Sequence, residues 1–281
     1  MNPVRIMTDS TADVTPEVAA RLTRVPLTIY FGGEDFIDGV TITHKAFYEK
    51  LVECDTLPTT SQATPYVFTE AFQKAVDAGE DVVVITLSAK LSGTYQSAIL
   101  AAEEFPGRVY VVDSLSVALG SGILAEYALS LADQGLDAAA IAAKLETERT
   151  RIHLVALLDT LEYLKRGGRI SKTVALAGGL LSIKPVISLD GGEIKILGKA
   201  RGSRQGNNLL VQEIHSAGGI DFSRPVLLGY TGLDDALLQK YIRDSAALWE
   251  GKLDALPCTV VGGVVGTHAG PGAIAVAFFQ P

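Results

Sequence analysis

The sequence predicts an α/β protein with an N-terminal parallel-sheet α/β domain over residues 1–150 and a C-terminal mixed α+β domain over residues 151–281. In the first half, short β-branched runs such as Val82–Ile85 alternate with helical patterns, which is typical of buried parallel strands joined by crossover helices. In the second half, Asp190-Gly191-Gly192 joins two strand patterns as a hairpin turn. The length of 281 residues accommodates two domains of this kind.

The elements of the N-terminal half follow from apolar periodicity and from the residues that begin and end helices. The predicted strands are 4–7, 24–31, 81–87 and 108–113, with a hairpin return over 36–43. The predicted helices begin at Pro16, run over 44–53, from Pro65 to about Ala78, through 98–102, through 124–135 and from Asp137 to about Thr150. This alternation predicts a right-handed parallel sheet.

The C-terminal half shows more hairpin signals than crossover signals. Its predicted strands are 152–158, 182–189, 193–198, 225–230, 259–265 and 273–279, and its predicted helices are 160–166, 206–217 and 234–248. The last two strands are joined by a predicted glycine-rich loop, 266–272, which contains His268. This pattern predicts a mixed or antiparallel sheet with helices.

Hydroxyl-rich segments follow several of the predicted strands. They are Thr8–Asp13, Ser92-Gly93-Thr94 and Ser114-Leu115-Ser116, and a further hydroxyl-rich loop, 57–65, precedes the helix at Pro65. If the strands are neighbours, these segments gather at the carboxyl edge of the sheet, where ligands of α/β proteins bind. Ser92 lies between the end of a predicted strand and the start of a predicted helix, so this segment is suited to binding a carboxylate or phosphate. The alternative is that Ser92 only caps its helix.

Charge and composition restrict the partner and the compartment. The net charge of −8 argues against nucleic acid as the main partner. Residues 165–204 nevertheless contain nine basic and two acidic residues, a net charge of +7 against −15 for the remainder. This basic segment is either a solvated face or a site for a phosphate or an acidic partner. The two cysteines provide neither a disulfide framework nor the spacing of a metal site. We expect a cytoplasmic protein without a leader or stable membrane insertion.

Few residues are suited to catalysis. The Gly120-Ser121-Gly122 segment lies inside a predicted helix start rather than after a strand, and Gly262–Gly266 lacks the lysine of a phosphate loop. We therefore expect no cofactor, no metal and no catalytic residue. Neutral hydroxyls can hold an anion without offering a strong base, which favours binding. Two alternatives stay open: an acyl hydrolase or transferase that uses His268 with Ser61 or Ser92, and an interaction protein with an empty cleft.

A set of motifs, in order along nearly the whole chain, resembles the DegV family of bacterial fatty-acid-binding proteins. They are Thr8–Asp13, Thr60-Ser61-Gln62, Leu91–Ala98, Val112-Asp113-Ser114, Leu164–Ile170, Ile183-Lys184-Pro185 with Asp190-Gly191, and Gly270-Pro271-Gly272. One departure is Ala63, where the family usually has proline after the glutamine.

The resemblance implies a two-domain protein that holds one long-chain fatty acid between its domains and is not itself an enzyme. Family members present the acid to a separate ATP-dependent kinase subunit as the acyl-carrying part of a fatty acid kinase. By motif, the resemblance assigns carboxylate binding to Thr60, Ser61 and Ser92. It places Thr94, Arg169 and His268 near the head group or the incoming phosphate.

Overall fold

The structure, a computed structural model, describes residues 2–170 and 183–281. The first residue of the predicted strand 182–189 and part of the basic segment 165–204 lie outside these residues. The described chain forms three β-sheets of four, six and three strands with helices packed against them. The α/β class with a parallel sheet followed by a separate mixed sheet is therefore confirmed.

The first sheet is entirely parallel and belongs to the N-terminal half. Its strand order is β2-β1-β6-β7, with β1 Val4–Asp9, β2 Thr23–Val25, β6 Asp81–Thr86 and β7 Val109–Asp113. Because the strands are parallel, the segments after β1, β6 and β7 lie at one edge, as predicted from the hydroxyl-rich segments.

A small antiparallel sheet, also from the N-terminal half, carries the first candidate hydroxyls. Its order is β4-β3-β5, with β3 Thr28–Phe31, β4 Glu34–Ile37 and β5 Thr59–Ser61. Thr60 and Ser61 thus lie on a short strand rather than in a loop. The hairpin turn is Gly32-Gly33, where both residues have positive φ angles of 53° and 102°, so the return strand lies earlier than the predicted 36–43.

The predicted single strand 24–31 is wrong, since β2 and β3 belong to different sheets. Pro26 separates them, and because proline has no N–H group it cannot continue a sheet ladder. The chain therefore leaves the parallel sheet at Val25 and enters the small antiparallel sheet at Thr28.

The six-stranded sheet is formed by the C-terminal half. Its order is β10-β9-β8-β13-β11-β12, antiparallel except for the β11–β12 pair. The strands are β8 Ile152–Leu157, β9 Ile183–Asp190, β10 Glu193–Arg201, β11 Leu227–Tyr230, β12 Cys258–Val260 and β13 Ile274–Phe279. The predicted hairpin through Asp190-Gly191-Gly192 is confirmed.

Ten α-helices cover the sheets in the described residues. They are α1 Pro16–Ala19, α2 His44–Glu53, α3 Pro65–Asp77, α4 Thr94–Ala102, α5 Leu119–Asp133, α6 Ala138–Glu148, α7 Glu162–Arg166, α8 Gly202–Ser216, α9 Ala236–Asp244 and α10 Gly263–Ala269. Short 3₁₀ turns follow α6 and α9 at Arg149–Arg151 and Ala246–Leu248.

Helix α10 corrects a second prediction. The segment 259–265 does not form one strand, because β12 ends at Val260 and α10 begins at Gly263, so His268 lies on this helix and not in a loop. A side chain in place of Gly263 or Gly266 would come within 2.6 Å of Ile29 or Tyr48 atoms. Glycine therefore allows the helix to pack directly on α2 and β3, a long-range contact that local propensity does not register.

The largest apolar core joins both halves of the chain. It contains Ile6, Val83 and Ile123 from the first half and Leu154 and Phe279 from the second. Helix α5 contacts β1 and β6 of the parallel sheet and also β8, β11 and β13 of the mixed sheet. Within the described residues, no helix is both long enough and apolar enough to cross a membrane.

Candidate ligand-binding site

An apolar cavity lies between the six-stranded sheet and the carboxyl edge of the parallel sheet. Its walls leave about 950 Å³ unfilled by protein atoms, a volume that includes the opening to solvent. The apolar lining comes mainly from β8, β9, β13, α10 and the segments after β6 and β7: Leu87, Leu91, Val117, Ala118, Leu154, Ala156, Leu158, Ile187, Leu189, Ile194, Val264, Val265, Ala269, Ala273, Ile274 and Ala275.

Small residues in register create the hollow. Across four neighbouring strands, Ile187 pairs with Ala156, Ala156 with Ala275 and Ala275 with Gly229, and all four residues line the cavity. Directly paired residues project to the same face of a sheet. The two alanines therefore leave space where larger side chains would fill a core, whereas at Gly229 the Leu119 side chain takes the place of a side chain, 2.8 Å from where a Cβ would lie.

The segment after β7 reaches the cavity in a strained conformation. Leu115 and Ala118 have φ angles of 51° and 52°, in the region that favours glycine. The carbonyl oxygen of Ala118 accepts hydrogen bonds from the backbone N–H groups of Asp13, at 3.2 Å, and Gly122, at 3.0 Å. These bonds hold the strained residue in the cavity wall.

Polar groups lie together at one part of this wall. Thr60, Ser61, Ser92, Arg169 and His268 all line the cavity, although they come from β5, the segment before α4, the segment after α7, and α10. The structure therefore brings together five of the six residues assigned by the resemblance. The sixth, Thr94, is buried and lies behind Ser92, with its hydroxyl 3.0 Å from the Ser92 hydroxyl.

Hydrogen bonds connect these hydroxyls to partners that fix their positions. Thr60 Oγ1 lies 3.0 Å from His268 Nε2, and Ser61 Oγ lies 3.1 Å from the Tyr30 hydroxyl. Ser92 Oγ also accepts a bond from the Thr94 N–H at 3.3 Å. Ser92 thus contacts the start of α4 and also lines the cavity. Its surroundings fit both the interpretation as a helix cap and the interpretation as an anion-binding residue.

Arg169 and His268 define the electrostatics of the polar wall. The Arg169 guanidinium donates to the carbonyl oxygens of Leu91, at 3.1 Å, and Gly167, at 2.6 Å. Burial, together with the charge of Arg169, lowers the pKa of His268 to about 4. At neutral pH the imidazole is uncharged, and Arg169 supplies the positive charge for an anion at this wall.

Three residues near the wall were not identified as site residues from the sequence. Tyr30 supports Ser61, Gln62 lines the cavity and donates to Ser97 Oγ at 3.0 Å, and Gly167 abuts the imidazole. A Cβ at Gly167 would lie 2.1 Å from His268 Nδ1. The position of Gln62 beside Thr60-Ser61 was a usable signal, whereas the contact of Gly167 with His268 depends on tertiary structure.

Neither serine of the polar wall pairs with His268 in the described residues. His268 bonds to Thr60, whereas the hydroxyls of Ser61 and Ser92 bond to Tyr30 and Thr94. His268 Nδ1 lacks the hydrogen-bond partner that would orient a general base. The described ranges also contain no group of three or more His, Cys, Asp or Glu side chains arranged to hold a metal ion.

The fold and the cavity define an α/β protein of three sheets with an apolar cavity whose polar groups lie together at one part of the wall. The chain belongs to the DegV family, because the family model described as "Uncharacterised protein, DegV family" matches residues 3–280. A DegV domain-containing protein of Caldanaerobacter subterraneus subsp. tengcongensis is 34% identical over 282 residues, which cover 99% of each chain.

Two solved structures extend the comparison. A fatty-acid-binding DegV family protein from Thermus thermophilus has a TM-score of 0.89 at 32% identity, with all of both chains covered. The Fatty Acid Kinase (Fak) B3 protein of Streptococcus pneumoniae, loaded with linoleic acid, has a TM-score of 0.85 at 23% identity, again with all of both chains covered. At this identity the second likeness concerns the fold.

Proposed function

We propose that this protein binds one long-chain fatty acid, with the tail in the apolar cavity and the carboxylate at the polar wall, and presents the carboxylate to a separate ATP-dependent kinase subunit. The observation that carries the proposal is the cavity itself, an apolar hollow whose polar residues lie together at one part of its lining. The fatty-acid-binding relative from Thermus thermophilus, similar over the full chain, supports the same ligand class.

In this proposal, burial of the hydrocarbon tail provides most of the binding free energy of the fatty acid. Burying about twelve methylenes gives on the order of 10 kcal/mol before ordering costs are subtracted. Ala156 and Ala275, paired on neighbouring strands, provide the room for it. We also propose the division at residue 150, which makes this a cavity between two domains.

The head group accounts for the position of the ligand. In this proposal Thr60, Ser61 and Ser92 donate hydroxyl hydrogens to the carboxylate, each such bond contributing about 1.5–3 kcal/mol. Because Thr60 donates its one hydroxyl hydrogen to the carboxylate in this proposal, the neutral His268 imidazole orients that hydroxyl by donating its Nε2 hydrogen to Thr60 Oγ1.

The basic segment 165–204 supports the presentation of the ligand carboxylate to a kinase. Arg169 lies at the polar wall, and Lys195, Lys199 and Arg201 lie on β10 at the edge of the six-stranded sheet. We infer that this basic region docks an acidic face of the kinase subunit in the cytoplasm, while Arg169 stabilises the phosphate that forms on the carboxylate. The shared fold of the linoleic-acid-loaded Fak B3 protein agrees with this role.

The double substitution Thr60→Ala with Ser92→Ala tests the assignment of the head group. We expect the affinity for a long-chain fatty acid to fall about 100-fold, since two hydrogen bonds to a charged group are lost. A fatty alcohol of the same length is the matched ligand, and its affinity is expected to change much less. Calorimetry with both ligands gives the comparison, and equal affinity of the mutant and the wild type for the acid would refute this assignment.

A further inference from the structure

The segment Thr8–Asp13 has a different role from the other hydroxyl-rich segments. Only Thr11 of this segment lines the cavity, while Asp9 and Asp13 are buried, as is Asp38 nearby. The Asp9 carboxylate is satisfied locally, by the N–H and hydroxyl of Thr11 and the N–H of Leu87. The carboxyl groups of Asp13 and Asp38 instead accept hydrogen bonds from a part of the chain that is distant in sequence.

Asp13 and Asp38 contact the beginning of the helix that carries His268. Asp13 Oδ1 accepts from the Gly262 N–H at 2.8 Å, and Asp38 Oδ1 accepts from the Gly263 N–H at 3.2 Å. The first N–H groups of a helix have no partners within it, and a carboxyl oxygen can accept hydrogen bonds from them whether the group is ionised or protonated. Since α10 begins at glycine and has no side-chain cap of its own, these two carboxyl groups act as caps from outside.

Further hydrogen bonds fix the position of the Asp38 carboxyl group. Asp38 Oδ2 accepts from Ser10 Oγ at 2.8 Å, and Ser10 Oγ in turn accepts from the Leu27 N–H at 3.1 Å. Burial raises the pKa of both carboxyl groups, that of Asp13 to about 8, while the nearby Arg24 acts in the opposite direction. Asp13 lies in the segment after β1, and Asp38 directly follows β4, so both carboxyl groups are attached to strands of the N-terminal half.

A helix of seven residues does not hold its own position. Helices this short are unstable in isolation, so packing and capping decide where α10 lies. Besides the two carboxyl groups, the Tyr48 hydroxyl donates to the Val261 carbonyl oxygen at 2.9 Å, just before the helix. At the other end of the helix, His268 fits between Thr60 and Gly167 with little free space.

We propose that Asp13 and Asp38 are positioning residues, which hold α10 so that His268 stays against Thr60 at the polar wall. This inference rests on the proposed function for its biological purpose, since the polar wall would hold the ligand carboxylate. Its structural part concerns only the placement of His268 and is measurable without any ligand.

The test follows the imidazole of His268 by NMR titration of the full chain after bound lipid has been removed. The signal is assigned by its loss in His268→Gln, and in the wild type it titrates with a pKa of about 4. In Asp38→Ala and Asp13→Ala we expect this pKa to rise by more than about one unit toward the ordinary 6.5, because the imidazole leaves its buried position. The control Asp133→Ala removes an exposed ion pair with Arg21 and leaves the titration unchanged.

Asparagine variants separate positioning from general stability. In Asp38→Asn, Oδ1 still accepts from Gly263 and Nδ2 can donate to Ser10 Oγ, so we expect His268 to titrate within about half a unit of the wild type. An unchanged pKa in both alanine variants, or an equal rise in Asp38→Asn, would overturn the proposal. If the alanine variants do not fold, amide exchange in the wild type decides: rapid exchange at Gly262 and Gly263 would overturn it equally.

Ligand binding provides a second, separable test. Asp38→Ala is expected to weaken fatty acid binding about tenfold in the wild type, and to cause no further loss in a His268→Ala background, because both changes act through the same imidazole. Additive losses would contradict the proposal. A wild type that binds no fatty acid would refute the proposed function and leave the NMR result standing.

Discussion

Ala156→Trp is expected to lower the affinity for a long-chain fatty acid by more than about 100-fold. Ala156 lies in the centre of the row of small residues that lines the cavity, between Ile187 and Ala275. An indole there occupies the volume of several methylenes of the tail, each worth about 0.8 kcal/mol. Isothermal titration with the acid measures the loss.

The protein itself is expected to tolerate this substitution. Because the new side chain fills an existing hollow, the cost of overpacking stays below about 3 kcal/mol, which thermal unfolding would detect as a modest shift. The matched control is Ala139→Trp on the exposed face of α6, which leaves binding unchanged. Full affinity in Ala156→Trp would show that the tail lies elsewhere.

Arg169→Ala is expected to reduce acyl phosphate formation with the kinase subunit encoded in the same genome by at least about 100-fold, while the acid stays bound. The guanidinium is the charged group at the polar wall, and hydrogen bonds from it to a phosphate contribute about 1.5–3 kcal/mol each. Phosphate release from ATP and mass spectrometry of retained acid give the two readouts.

Two further variants make this result specific. Arg169→Lys keeps the charge but loses the planar donor geometry, so we expect intermediate activity. Arg21→Ala removes an exposed arginine that pairs with Asp133, and it should leave activity unchanged because such pairs contribute little. Wild-type activity in Arg169→Ala would remove this residue from the phosphoryl transfer step.

The sequence was sufficient to predict the parallel sheet and the position of Ser92 at its edge, because both follow local rules. β-Branched runs indicate buried strands, and the carboxyl ends of parallel strands meet at one edge. Ser92 follows directly from this rule. Thr60 and Ser61 were identified by their density of hydroxyls and by family resemblance, although the structure places them on β5 rather than in a loop.

Helix α10 shows why the rest was not predictable. The segment Gly262–Val265 combines glycine and valine, a local pattern that favours a strand. It forms a helix because Asp13 and Asp38, more than 200 residues earlier, accept its first N–H groups. The same applies to the hollow, since the register that places Ala156 opposite Ala275 on a neighbouring strand is not readable from the sequence.

The most direct test of fatty acid binding is mass spectrometry of the purified protein. Native mass spectrometry of the intact chain is compared with denaturing analysis of its organic extract. We predict one long-chain fatty acid per chain, lost on denaturation and recovered in the extract. A protein that is purified empty and takes up no added fatty acid would contradict the account, while leaving its fold and family membership in place.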